Sequence, residues 1–407
     1  MAETQYRPQV SAYIKAVSAS SLWSEQERTH ALELAQKAPV PSKLEEDWRK
    51  TDPDAFPWAR IEDVDPAKTR TEVTLRGLTG GSVEGIVPLA RTGAEAERCR
   101  KMMMIAGDDY DAKFLYFHKA LAQNSVSLRV PQGYQGDSLE IVQRSHGPGL
   151  AAFSSQIILE RGTQAVISER WELDEDGTPA IGRMEIHVEA GAKLTLLHED
   201  AAGARSSLYR RARVVMDRDS EVRWYAITPG AAWHVARLEL DLNGPGTYGE
   251  MKGLFVGRGD ARADHRTHQY HSAPHAKSEL TFKTLLAGRS HSVYQGLITV
   301  PQQSQKTDAY QQCRNLFLSP GAHADAIPKL EIIADDVRCT HGASMGSVNR
   351  EQVFYLCSRG LTRPQAVTAI ATGFAEEIIR FVPAESVQER WRKLVSETVG
   401  SSLKTDS

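Results

Sequence analysis

Cys339 and His341, in the stretch DDVRCTHGASMGSVNREQVFYLCSRGL, set a thiol and an imidazole two residues apart. On a strand the side chains alternate faces, so this pair points the same way. Both are soft or borderline donors that suit iron, zinc or a cluster. Two ligands are a weak motif by themselves, and a buried cysteine beside a turn histidine is the plainer reading. His323 and the pair Asp335-Asp336 are weaker additional ligands.

A second constellation is His265, His268, His271 and His275 in DHRTHQYHSAPHAKSE. Pro274 and the polar context argue against a helix there. On a strand His265 and His271 share a face and His268 takes the other, which fits exposed or hydrogen-bonded structural histidines. Cys99 is flanked by Arg98 and Arg100, whose charges would lower a thiol pKa, although its helix-like, charged setting reads as an incidental cysteine. Cys357 reads as a packing residue. The sequence holds no HExxH or GxxxxGK[ST] pattern, so no Walker-type nucleotide site of its own is expected.

Three textures must position these residues. Residues 1–60 read as a helical region, with Val10, Tyr13, Ile14 and Val17 at helical spacing and Ser24 as N-cap of a second helix; 61–114 form a connecting region. From 115 to 346 short alternating runs dominate, among them MEIHVE, KLTLLHE, VRWYAI and RLELDL. Turns at Arg161, Ala190, Asp217 and Asn243 recur at intervals of 29, 27 and 26 residues. A turn-then-strand unit at near-constant spacing marks a β-solenoid or a stacked sandwich. The scarcity of tight Asn-Gly or Asp-Gly hairpin turns favours the solenoid. Cys313 lies 26 residues before Cys339, one repeat away, so it is expected directly above Cys339 on the adjacent coil. Residues 347–400 are helical again: Asn349 caps REQVFYLCSR, Gly360 sits at its C′ position, and Thr362 with Pro364 opens the next helix. Residues 401–407 read as a disordered tail.

Bulk properties narrow the function. A net charge of −3 with 25% charged residues argues against a nucleic-acid binder. Apolar runs are too short for a membrane span, and the N-terminus lacks a secretory pattern. Four cysteines with no CxxC pair do not form a disulfide framework. Cytosol is therefore the expected compartment.

The stretch from Cys339 onward resembles the SufB/SufD family of iron–sulfur cluster assembly proteins, more its SufD than its SufB members. It matches the family's Cys-Ser-His-Gly-Ala-Thr segment leading into Phe-Tyr-Leu-x-Ser-Arg-Gly. The resemblance extends through KLEIIADDVRC, QQCRNLFLS, HSAPHAKSELTFKTLL, KFLYFHKALAQNSVSLRVPQG and GFAEEIIRFV, with EEDWRKTDP a looser match, and covers residues 112–382. It implies a mainly β fold, a right-handed parallel β-helix core with N- and C-terminal helical domains. It also implies a scaffold acting with SufB and a SufC ATPase docked on the C-terminal helices, where Phe354, Tyr355, Arg359 and Phe374 are the candidate contacts. His341 matches the SufD histidine implicated in cluster assembly, and Cys339 its neighbouring cysteine. Cys313 falls where SufB carries a cluster-site cysteine, Gly342 stands where SufB carries a glutamate, and SufB's sulfur-accepting cysteine has no counterpart in residues 160–200. The resemblance thus implies a transient iron–sulfur cluster at a subunit interface, held in part by Cys313, Cys339 and His341, in a homodimer or a SufB–SufD heterodimer. Two rival readings are a supporting subunit that ligates no iron and, more remotely, a carbohydrate-active β-helix enzyme.

Overall fold

A computed structural model describes residues 8–18, 22–63, 69–105, 109–147, 149–173 and 177–405. From Val126 onward consecutive strands alternate between two nine-stranded sheets, which makes each pair of strands one coil of a parallel β-solenoid. Partners in the parallel ladders are 26 to 32 residues apart. One corner of each coil turns through a left-handed residue, and these stack as Gly162, Gly191, Asp219, Gly246, His275 and Lys306. Gly162 and Gly191 donate their amides to the next corner's carbonyls, Ala190 and Arg218. Glycine adopts positive φ freely and Asp and His tolerate it, so the corner residue is what repeats in the sequence.

Inward-facing side chains stack from coil to coil. One ladder of the first sheet runs Leu139, Ile167, Leu196, Trp224, Met251, Leu280, Gln311 and His341. A second ends Ala226, Gly253, Phe282, Cys313, Ala343. A third ends Gly249, Ser278, Ala309, Cys339. The large apolar members of the first two ladders up to Leu280 and Phe282 are buried in a single core, each contributing about 1.5–3 kcal/mol of transfer free energy. Toward the last coils the first ladder turns polar.

Each outer face is covered by helices. Helices α1 (Pro8–Ser18), α2 (Glu25–Lys37), α3 (Gly93–Met102) and α4 (Ala112–Leu121) form the N-terminal layer. In it α1, α2 and α4 pack with Trp48 and Phe56 on Ile181, Tyr209, Trp233 and Val235 of the second sheet. Val10, Tyr13, Ile14 and Val17 are its buried stripe, and Ser24 caps α2 through a reciprocal capping box with Glu27. Helices α5 (Arg350–Ser358), α6 (Arg363–Ile379) and α7 (Glu385–Thr405) follow the last strand. There α6 and α7 cover Leu197, Tyr225, Ile227, Leu254, Val256 and Leu285 of the first sheet. Glu199 ties α7 down by accepting from Arg390 at 2.7 Å.

Three expected boundaries shift. Residues 112–121 are helix α4, so the strand region starts at Val126, not at 115. The connecting region contains a full strand, Arg70–Gly77, antiparallel to Leu139–His146. The tail is helical through Thr405, because α7 simply continues; residues 406–407 lie outside the described residues.

Candidate functional site at the open end of the solenoid

The last coil consists of strands His323–Ile332 and Arg338–Ser347, joined by residues 333–337. Each is paired on one side only. Cys339, His341, Ala343 and Met345 continue the inward ladders, but no further coil roofs them. Cys339 is therefore half-buried against Ile298, Val300 and Ala309, while His341 is exposed. Their shared face, expected from alternation, is the inward face at the mouth of the solenoid.

Cys313 is not above Cys339. The register sets Cys313 opposite Ala343, Gln311 opposite His341 and Ala309 opposite Cys339. This coil is 30 residues long, not 26, because its turns, residues 318–322 and 333–337, are longer than turns 217–220 and 230–232 of the 26-residue coil, and its second strand has one residue more. A four-residue offset puts the two cysteines about 14 Å apart along the sheet, beyond shared ligation of one ion. Cys313 is instead a diagonal neighbour of His341, about 8 Å away between Cα atoms. It is fully buried, in register with Phe282, and receives a hydrogen bond from Asn315 Nδ2 at 3.5 Å. Burial pushes its thiol up to about 12, a rise the Asn315 contact only moderates, so it is protonated at neutral pH. Burial also raises the Cys339 thiol, opposed by a hydrogen bond with the Ala309 backbone. The weaker ligands are elsewhere: His323 begins its strand at the end away from the turn to Cys339, and Asp336 is paired with Lys306.

Beyond the last strand, Asn349 caps α5 by accepting from the Glu351 and Gln352 amides, and Gly360 closes it with φ +98°. Phe354 and Tyr355 project outward, 75% and 55% exposed, with Arg359 over the Tyr355 ring. Glu351, Gln352, Tyr355, Leu356 and Ile370 line a shallow groove of about 570 Å³ between α5 and α6. Phe374 does not belong to this patch. Its ring lies under Lys283 Nζ at 4.1 Å, and its carbonyl accepts from the same ammonium, which fastens α6 to the solenoid.

Two polar clusters went unread in the sequence. Asp111 is fully buried and accepts from Trp48 Nε1 at 3.1 Å, Tyr209 Oη at 2.8 Å and Arg237 Nε at 3.0 Å. Burial raises its pKa, but Arg237 and Arg266 outweigh that and keep it ionised. The hub joins the EEDWRKTDP segment to the second sheet. Inside the solenoid, Asp200 accepts from His198 Nε2 at 2.7 Å and Arg210 Nη1 at 3.3 Å. Burial opposes its ionisation, yet Arg210 and His198 hold it far below the usual carboxylate range. Its signal was present in KLTLLHED, where a histidine and an aspartate fall on inward positions that alternation reserves for apolar residues.

The histidine run is structural: His265 and His271 point inward, His268 meets Thr299 Oγ1 at 3.0 Å on the outer face, and His275 is a corner residue. The Cys99 thiol is raised by burial in spite of Arg98, contrary to the effect its arginine flanks suggested. Cys357 packs against Val353, Ala366 and Val367.

Comparison with known proteins bears on this geometry directly. Residues 143–374 match the family "SUF system FeS cluster assembly, SufBD core domain". The iron-sulfur cluster assembly protein SufD of Escherichia coli is 28% identical over 284 residues, 68% of this chain and 67% of its own. SufD of Bacillus subtilis is 24% identical over 292 residues, 70% and 67% of the two chains. Protein ABCI7, chloroplastic, of Arabidopsis thaliana is 23% identical over 418 residues, covering 94% of this chain and 87% of its own. The matched region comprises most of the solenoid, its open end and helix α5, and the chain belongs to the SufBD core family of the SUF iron–sulfur cluster assembly system.

Proposed function

We propose that this chain is a SufD-like subunit of the SUF scaffold, working with a SufB-type partner and a SufC-type ATPase to build clusters and pass them to apoproteins. One observation carries the reading: Cys339 and His341 share the inward face of the one coil that has no roof. A cluster needs about four ligands. This chain offers one exposed imidazole and one half-buried thiol there, so the cluster is cargo held jointly with a second subunit. Incomplete ligation suits a scaffold, which must release what it assembles.

The free edge supports the same arrangement. Arg338–Ser347 is a ten-residue edge strand without proline that carries the exposed Met345, and exposed Ile333 lies in the turn before it. Its partner edge, His323–Ile332, is blunted by Pro328. A long unpaired edge invites strand addition by another subunit, either a second copy or a SufB chain. Phe354, Tyr355 and Arg359 then offer the ATPase an aromatic and cationic contact of the kind enriched at interface hot spots. ATP hydrolysis belongs to that partner, and the working compartment is the cytosol. Among the described residues no helix is long and apolar enough to cross a membrane.

The second reading, a support role without iron ligation, draws on the buried, protonated Cys313. Co-expression with SufB and SufC, anaerobic isolation, and iron and sulfide analysis separate the two. Co-purification with iron and sulfide that fall in Cys339→Ser and His341→Ala supports shared ligation. An ATPase complex whose iron content ignores both substitutions supports the support role. Absence of any stable complex with either partner overturns the assignment.

A further inference from the structure

His291 and His323 stand opposite each other on adjacent strands of the second sheet, with Asp325 two residues on from His323 on the same outer face. Asp325 Oδ2 lies 2.8 Å from His291 Nε2 and 3.6 Å from His323 Nε2. One donor atom from each residue falls within 4.8 Å of the others. Two ligands at about 2.0–2.2 Å on a tetrahedral ion are separated by about 3.3–3.5 Å. The two carboxylate–imidazole distances bracket that value, and the two imidazole nitrogens lie within 4.8 Å of each other.

The site is built on a stiff support. In-register strands fix the Cα separation of the histidines at about 4.8 Å. Lys50 Nζ holds Asp325 Oδ1 at 2.9 Å, which aims Oδ2 at the imidazoles. His291 also lines a cavity of about 300 Å³ with Lys50, Asp52, Asp264 and Arg262, space from which water or an exogenous ligand reaches an ion. The plain alternative is a single His291–Asp325 hydrogen bond with His323 standing by. Register accounts for the 4.9 Å between the two ring centroids; what points to an ion is that Asp325 Oδ2 lies near both Nε2 atoms on the same face.

We propose that His291, His323 and Asp325 bind one divalent first-row transition cation, of the zinc or ferrous class, on the outer face of the second sheet. Two imidazoles and a carboxylate are borderline donors that select such ions over magnesium or calcium. The site is separate from Cys339 and His341, and it stands whether or not the chain handles a cluster. A bound ion would tie together the last two strands of that sheet at the open end of the solenoid.

The test uses the full chain carrying Cys339→Ser and His341→Ala, so that the mouth of the solenoid cannot supply the signal. Zn2+ is titrated by calorimetry, and Co2+ by its visible ligand-field bands. One equivalent should bind, and His323→Ala or Asp325→Asn should each weaken it by more than about tenfold. His323 is a surface residue, so His323→Ala keeps the fold, checked by circular dichroism. Lys50→Met removes the contact that aims Asp325 Oδ2 at the imidazoles and should weaken binding, by less than Asp325→Asn does. Absence of binding in the parent, or affinity unchanged in both ligand variants, overturns the proposal. Binding that Lys50→Met weakens while Asp325→Asn leaves it unchanged would contradict Asp325 as a ligand.

Discussion

The two ends of the solenoid are built differently. At the N-terminal end Val73, Val83, Ile86 and Tyr134 pack against the core and close it. The second-sheet edge there is a two-residue strand, Val87–Pro88, too short and too proline-rich to recruit another strand. At the C-terminal end two ten-residue strands stop with their ladders unfinished, and Cys339, His341 and Met345 are what those ladders end on. The first sheet also ends in a one-sided strand at the N-terminal end, Arg70–Gly77, so what sets the C-terminal end apart is its unroofed core, the surface proposed above for a partner.

The contrast implies that interior substitutions cost stability and open-end substitutions cost assembly. Trp224, fully buried in the middle of the first ladder, should lose about 3–5 kcal/mol on Trp224→Ala, read from urea unfolding. His341→Ala should stay within about 0.5 kcal/mol in the same assay. Comparable losses at both positions would break the comparison.

Acid should attack the interior next. Burial depresses His271 to about 4 and His118 to about 3. Below pH 6.5 the unfolded chain takes up protons that these folded-state imidazoles refuse, so stability is whole above 6.5 and falls toward pH 4. For His271 the loss is on the order of 3 kcal/mol. His271→Gln should flatten the fall in the urea midpoint between pH 6.5 and 4, and an unchanged slope would refute this origin.

At the helical end, Phe374→Ala should cost about 1–2 kcal/mol because the ring is clamped by Lys283. Phe354→Ala should leave stability alone and reduce retention of the ATPase in pull-downs. Ile333→Asp with Met345→Asp should weaken self-association or SufB binding at least about tenfold, about 1.4 kcal/mol, by light scattering across a dilution series. Unaltered association would mean that the open edge is not the interface.

The architecture was legible because its signals are local. Corner residues such as Gly162 and Gly191 repeat once per coil, and Ser24, Asn349 and Thr362 cap helices with their own neighbours. The seam at Cys339 could be found for the same reason. Which residues meet there could not, because coil length varies from 26 to 32 residues and a few added turn residues slide a neighbour by several positions. Cys313 was misplaced for that reason alone. The Asp111 hub draws Trp48, Tyr209 and Arg237 from three distant segments, none of which carries a pattern pointing to the others. His291, His323 and Asp325 meet across two strands in the same way.

The central claim is that the unroofed coil is where this subunit works on clusters. Anaerobic reconstitution in the complex with SufB and SufC tests it most directly, following cluster absorbance in wild type, Cys339→Ser, His341→Ala and Cys313→Ser. The structure predicts a marked loss for Cys339→Ser and His341→Ala, with a smaller effect for buried Cys313→Ser. Equal yield in wild type and in both open-end variants would contradict it.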